Sequence, residues 1–482
     1  MRGLLPLWVG VGTYALFLLA GNRLLIDPDT MWQVTVGQWI IDHRAVPETD
    51  VYSFTMRGHP WISTQWLAQV LFAKTYAISG WSGPVVLAAT AIAATFALLA
   101  KFLSRHLSES TTLVFVAAAL ALTVPHLLAR PHVLALPVMV LWVGELMAAA
   151  DRRGAPSFWL LPLMALWANL HGGFVFGLVL VAPIALDAVL SAEVKLRKPL
   201  VLRWAAFGTA ALIASCCTPY GWNSLLASQK ILALGGALPL IVEWKPADFG
   251  SLGPFELCLL LGIGLALWRG VTLPPLRIVL LAGLLHMALA QWRAAEILAL
   301  LAPLVLAAPL AKQLSGTEVA HSVAPPMRGV LVASVAIALV AGTFAYASVH
   351  RFQPHSRGSP VAAVAALKKL NLARVFNDYD FGGYLIANGV APFIDGRTEL
   401  YGEKFFVDHN AASALMEPEN LFRLLDEYKI EATLMRTQNP ATKLLDHVDG
   451  WQKLYADGIA TIHLRKPGAA HTIEPAVGQK VR

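Results

Sequence analysis

Apolar residues in this chain come mostly in long, almost uninterrupted runs. Segments at about 4–20, 83–103, 112–128, 133–150, 157–170, 172–190, 202–217, 254–269, 274–291, 294–312 and 328–348 approach the roughly 20 residues a helix needs to cross a hydrocarbon core. That pattern predicts about eleven transmembrane helices, with 157–170 the shortest clear case. Two stretches break it: the polar interval 22–82, and everything after about 350. In the second, "RVFND" and "EATLMR" read as strands and "PVAAVAALKKL" and "PENLFRLLDEY" as amphipathic helices. "WQKLYADGIATIHLR" reads as a hairpin turning at Asp457-Gly458. The expected organisation is a membrane domain over 1–349, a small α/β domain over 350–466 and a disordered tail over 467–482.

Composition agrees: of 482 residues 57% are hydrophobic and 14% charged, against roughly 25% charged in a soluble domain. The opening apolar run is long and lacks an A-x-A-like cleavage site, so it reads as a retained helix. Cys216, Cys217 and Cys258 lie in apolar segments and form no disulfide or metal pattern.

Charge orients the chain, because Lys and Arg concentrate in short cytoplasmic loops. With the N-terminus inside, the inner connections hold Arg2, Lys101, Arg105, Arg152, Arg153, Lys195, Arg197, Lys198, Arg203, Arg269, Arg277, Lys312 and Arg328. The far longer outer connections hold only Arg23, Arg44, Arg57, Lys74, Arg130, Lys230, Lys245 and Arg293. This topology puts 22–82 and the C-terminal domain on the outer face of a cytoplasmic (inner) membrane. It accounts for much of the +7 net charge, so no nucleic-acid partner is expected.

The first outer loop carries the first candidate chemistry. In "DPDTMWQVTVGQWIIDH", Thr30 and Gln33 have capping-box spacing, and Trp32, Val36, Trp39 and Ile40 share a helical face. A helix lying on the membrane surface is predicted, its tryptophans at headgroup level, with a second in "WISTQWLAQVLFAKTY". Asp27 and Asp29 then sit at a water–lipid boundary. Either they serve the positive end of that helix, or one acts as a general base toward a hydroxyl while a lipid-borne leaving group stays in the membrane.

Three other outer connections supply partners for a phosphate: Arg130 and His132 in "LLARPHVLALP", Asn169 and His171 in "WANLHGGFVFGL", and Arg293 and Glu296 in "AQWRAAEIL". Each also has a structural reading: Arg130 snorkelling to headgroups, His171 satisfying backbone at Gly172-Gly173, Arg293 paired with Glu296. Asp50 reads first as a turn residue and second as another acid. Trp222, Glu243, Trp244 and Lys245 lie in outer segments that either anchor the interface or contact a lipid or sugar. In the C-terminal domain, Asp378, Asp380, Asp395, Arg397 and Glu399 suggest local capping and ion pairing, with Arg397 also suited to an acidic acceptor.

These residues together resemble the GT-C superfamily of integral-membrane glycosyltransferases, which includes oligosaccharyltransferases, protein mannosyltransferases and lipid A aminoarabinose transferases. The likeness is strongest to a bacterial branch with "DPDTMWQVTVGQWIIDHRAVPETDVYSF", "HPWISTQWLAQVLF", "WANLHGG", "TPYGW" and "VFNDYDFGGYLI…FIDGRTELYG" in this order, and it covers most of the chain. It implies inverting transfer of a sugar from a polyprenyl-phosphate donor to a glycan, lipid or protein acceptor. The catalytic acid motif falls on Asp29, with Asp27 next. Candidates for the donor phosphate are Arg130, His132, His171 and Arg293, and for the acceptor Trp244 and Arg397. Some relatives use a divalent metal such as magnesium or manganese. Here Asp27, Asp29 and Asp50 are the oxygen ligands available. Where an Arg-rich stretch is expected, "QWRAAEIL" offers Arg293 alone. The rival reading is a non-catalytic membrane factor for surface-polysaccharide assembly or export. A transporter fits less well, because most charges lie in loops.

Overall fold

The computed structural model describes residues 3–232, 234–314 and 328–466, so the tail from 467 lies outside it. Each of the eleven apolar segments is helical. By length and composition six helical stretches among the described residues suffice to cross a membrane: Ser82–Leu103, Glu109–His126, Pro131–Asp151, Phe174–Ser191, Ala294–Leu314 and Gly329–Val349. Shorter apolar helices run over Leu5–Leu19, Phe158–Leu170 and Pro275–Ala290. None of the apolar window in Gly329–Val349 is buried by the rest of the protein. Its outward-facing Val332, Ile337, Val340 and Phe344 therefore require a hydrocarbon solvent.

The main core forms where Ser82–Leu103 and Pro131–Asp151 pack together through Ile92, Phe96, Leu99, Val140, Trp142 and Leu146. Gly144 permits this contact: a Cβ there would lie 2.5 Å from the Phe102 ring. At one end of the bundle, Arg277 donates to Asp187 at 3.0 Å and also reaches Asp151, tying three helices with a buried charge cluster.

The two loop helices occur as expected, at Asp29–His43 and Trp66–Ser79. They cross at Gly37, where a Cβ would meet the Gln69 carbonyl oxygen at 2.0 Å. A buried amide chain fixes the crossing: Ser63 donates to Gln69 and Gln69 to Gln33, each at 2.8 Å. The capping box does not form, because Gln33 is used there and Thr30 donates instead to the Ala129 carbonyl. Asp27 takes over the start of the helix, accepting from the Asp29 N–H at 2.7 Å. The apolar face of this helix is covered by protein: Trp32, Val36 and Ile40 are buried with Trp61 and with Ile386 of the C-terminal domain.

That domain has the predicted elements. Strands β1 (Val375–Asn377), β2 (Ala432–Arg436), β3 (Trp451–Ala456) and β4 (Ala460–Arg465) form a sheet in the order β1-β2-β4-β3. β1 and β2 run parallel, and the β3–β4 hairpin closes where Asp457 accepts from the Ile459 and Ala460 N–H groups. Helices Val361–Leu370 and Pro418–Glu427 pack on the sheet.

The domain is bolted to the first loop by a fully buried ion cluster. Arg397 donates to Asp395 at 2.7 and 2.8 Å and to Asp50 at 2.6 Å, with its guanidinium over the Tyr52 and Trp61 rings. Asp50 also closes a turn, accepting from the Tyr52 and Ser53 N–H groups. Arg397 is 0% exposed, so it is a structural clamp and does not present itself to an acceptor. Removing one member of such a cluster strands buried charges. Arg397→Leu is expected to destabilise the protein by about 3–5 kcal/mol, read as a lowered thermal midpoint in detergent. An unchanged midpoint would show that the clamp contributes nothing.

Candidate active site

Asp27 and Asp29 are held by the two terminal nitrogens of one guanidinium. Arg130 precedes the helix Pro131–Asp151. It donates to Asp27 Oδ2 and to Asp29 Oδ2, both at 3.0 Å, and shares its first nitrogen with Glu243. Glu243 comes from the connection between Val194–Ser215 and Pro254–Arg269 and accepts from Arg293 at 2.7 Å through its other oxygen. The result is a line of alternating charge: the two aspartates, Arg130, Glu243, Arg293. Arg293 thus pairs with Glu243, not with Glu296.

The surroundings tune these groups. Burial, then the neighbouring Asp27, pushes the Asp29 carboxyl up to about 7, against the pull of Arg130. Burial raises Asp27 as well. Glu243 goes the other way: burial alone would raise it, but Arg130 and Arg293 draw it down to about 2. Burial, then Arg293 and Arg130, keeps His171 neutral, down to about 3. A carboxyl that is ionised near neutrality yet basic enough to take a proton suits a general base.

The C-terminal domain reaches this centre through bare backbone. A Cβ on Gly396 would stand 2.0 Å from Asp29 Oδ1, and one on Gly383 2.5 Å from the Pro28 carbonyl oxygen. The glycines of "FGGYL" and "IDGRTEL" therefore let the domain lie directly on the Pro28-Asp29 step. Trp32 completes the enclosure by donating to Asp29 Oδ1 at 3.0 Å.

Below and beside the charged line is a cavity of about 490 Å³. Its membrane end is apolar, with Ala135, Leu136, Met139, Val175, Phe176 and Val179. Polar lining comes from His132, His171, Arg293 and Glu296, and further lining from Trp61, Gln65, Trp244, Gln291 and Glu399. Arg293 belongs to both the cavity and the charged line. Asp27, Asp29, Arg130 and Glu243 are not among the residues that line the cavity.

The expected residues thus divide three ways. Asp27, Asp29, Arg130 and Arg293 join through Glu243; His132, His171, Arg293 and Trp244 line the cavity; Asp50 and Arg397 belong to the clamp. His171 also has the structural role expected for it, its Nδ1 accepting from the Gly173 N–H at 3.0 Å. The donor set does not fit a divalent ion held by Asp27, Asp29 and Asp50. Asp50 is committed to Arg397, and the Arg130 guanidinium already occupies an oxygen of each of the other two. Among the described residues no cluster of three or more His, Cys, Asp or Glu is arranged to hold a metal.

The remaining sequence motifs hold the site together. Trp61 of "HPWIS" donates to Glu399 at 3.2 Å; Asn169 of "WANLHGG" accepts from Trp66 at 2.7 Å and donates to the Cys217 carbonyl. Tyr220 of "TPYGW" donates to the Pro47 carbonyl at 2.8 Å.

No family model matches the chain, and no curated protein matches it. The overall fold is similar to that of a solved membrane protein. The archaeal oligosaccharyltransferase AglB from Archaeoglobus fulgidus, in complex with an inhibitory peptide and a dolichol-phosphate, superposes with a TM-score of 0.51 at 10% identity, over 96% of this chain and 75% of that one. ArnT from Cupriavidus metallidurans, bound to undecaprenyl phosphate, aligns over 96% of this chain and 98% of its own at 13% identity, with a TM-score of 0.33.

Proposed function

We propose that this chain is a membrane glycosyltransferase that moves a sugar, with inversion, from a polyprenyl-phosphate-linked donor to a glycan, lipid or protein acceptor on the outer face of the cytoplasmic membrane. The observation that carries it is Glu243, a carboxylate held between two arginines of which one, Arg293, also lines a largely apolar cavity. A phosphate makes the same guanidinium contacts with more charge and more acceptor oxygens. The donor phosphate would displace Glu243 from Arg293, and the prenyl chain would lie along Leu136, Met139, Val175 and Phe176. The anomeric carbon would then face the Asp29 side of the line. Asp29 takes the proton of the attacking hydroxyl while Arg130 and Arg293 stabilise the departing phosphate. Trp61, Gln65, Trp244 and Gln291 offer the aromatic face and amides that sugar rings use.

Titration of the purified protein with undecaprenyl phosphate tests this reading. Arg293→Gln is expected to bind about 10- to 100-fold more weakly, the loss of one charge-assisted contact. Glu243→Gln, which removes the anion paired with Arg293, binds more tightly. Equal affinity in Arg293→Gln, or weaker binding by Glu243→Gln, overturns the assignment.

A further inference from the structure

The cavity holds an acid that the proposed mechanism has not used. Glu296 lies in the first turn of Ala294–Leu314 and is 3% exposed. Arg293, three residues earlier, turns to Glu243 instead. Oε1 of Glu296 has no hydrogen-bond partner among the described residues, and Oε2 stands 4.0 Å from His132 Nε2, too far for a hydrogen bond. His132 does not supply the missing proton. Its Nε2 lies 3.0 Å from the His126 carbonyl oxygen, so that nitrogen is the donor and the neutral ring leaves Nδ1 as a bare lone pair, itself unpartnered. The other ionisable groups around the pair are His126, His171 with its ring 6.2 Å from that of His132, Arg130, Arg293 and, beyond it, Glu243. A buried carboxylate without a partner is strongly disfavoured, whereas a carboxylic acid in the same place is a hydrogen-bond donor aimed into the cavity.

We propose that Glu296 is held as a neutral acid beside His132, donates its proton in a hydrogen bond to the donor phosphate, and transfers that proton when the sugar–phosphate bond breaks. This rests on the glycosyltransferase reading and deepens it. The acceptor oxygen bonds to the anomeric carbon and its proton passes to Asp29. The electron pair of the broken carbon–oxygen bond goes to the phosphate, and the Glu296 proton follows onto a phosphate oxygen. The base and the acid thus stand on opposite sides of the arginines.

Infrared difference spectra of the protein in liposomes, with and without undecaprenyl phosphate, read the acid directly. Wild type is expected to show the carbonyl band of a protonated carboxyl that shifts when the phosphate binds. The band is lost in Glu296→Gln and kept in Asp29→Asn. Glu296→Gln, whose amide still donates, should bind undecaprenyl phosphate within about threefold of wild type, while Glu296→Ala binds about tenfold more weakly. A wild-type spectrum identical to that of Glu296→Gln, or tighter binding by Glu296→Gln as for a removed anion, overturns the proposal while leaving the donor site intact. Failure of wild type to bind undecaprenyl phosphate at all overturns both.

Discussion

Asp29→Asn is expected to reduce sugar transfer by about 10²- to 10⁴-fold, the range for loss of a positioned general base, with little change in donor affinity. Asn keeps the volume and still accepts from Trp32 Nε1; what disappears is the ability to take a proton, together with the Oδ2 contact from Arg130. The pH dependence carries the same signature. Burial and Asp27 raise the Asp29 carboxyl to about 7. The base works ionised, so transfer should rise with pH through that region, and the residual activity of Asp29→Asn should lack this limb. Stability moves in the opposite sense. A carboxyl whose folded pKa is raised favours the fold while protonated, and that contribution is lost as pH rises toward and through the folded value. Above about pH 7, Asp29→Asn should therefore be at least as stable as wild type. A variant that loses activity only because it unfolds contradicts the assignment.

The second large effect is expected far along the sequence. Gly396→Ala puts a methyl group 2.0 Å from Asp29 Oδ1 and 2.7 Å from its Cγ, a contact neither can keep. Asp29 is gripped by Arg130 and Trp32, so relief must come from moving the carboxylate or lifting the C-terminal domain. Misplacing a reacting group by about 1 Å can lower a rate about 100-fold. We expect a loss of that order, with an overpacking penalty of only about 1–3 kcal/mol in thermal unfolding. Gly458→Ala, whose Cβ meets nothing within 4 Å, should leave both unchanged. Full activity in Gly396→Ala would mean that the domain does not shape the site.

What the sequence made legible follows from how local each signal is. Long apolar runs specify helices from within themselves, and all eleven fall on helices; Asp457-Gly458 encodes its hairpin the same way. Legibility falls where a partner lies far along the chain. "WQVTVGQWI" has the pattern of an interfacial helix because an apolar face does not state what covers it. Ile386 and Leu400 supply the cover. Arg397 looked available to an acceptor until Asp50, 347 positions away, claimed it. Glu243 was visible as a loop acid, but its place between Arg130 and Arg293 depends on three separate connections meeting. One signal was available and unused: the glycines of "FGGYL" and "IDGR", followed by no obvious turn requirement, mark close backbone approach.

The most direct test of the account is mass spectrometry of lipid-linked sugars and surface glycans from cells carrying wild type or Asp29→Asn at equal membrane levels. The account predicts that Asp29→Asn cells accumulate an undischarged polyprenyl-phosphate sugar and lose one sugar substituent from the envelope. Identical profiles, with Asp29→Asn expressed and inserted, would contradict it.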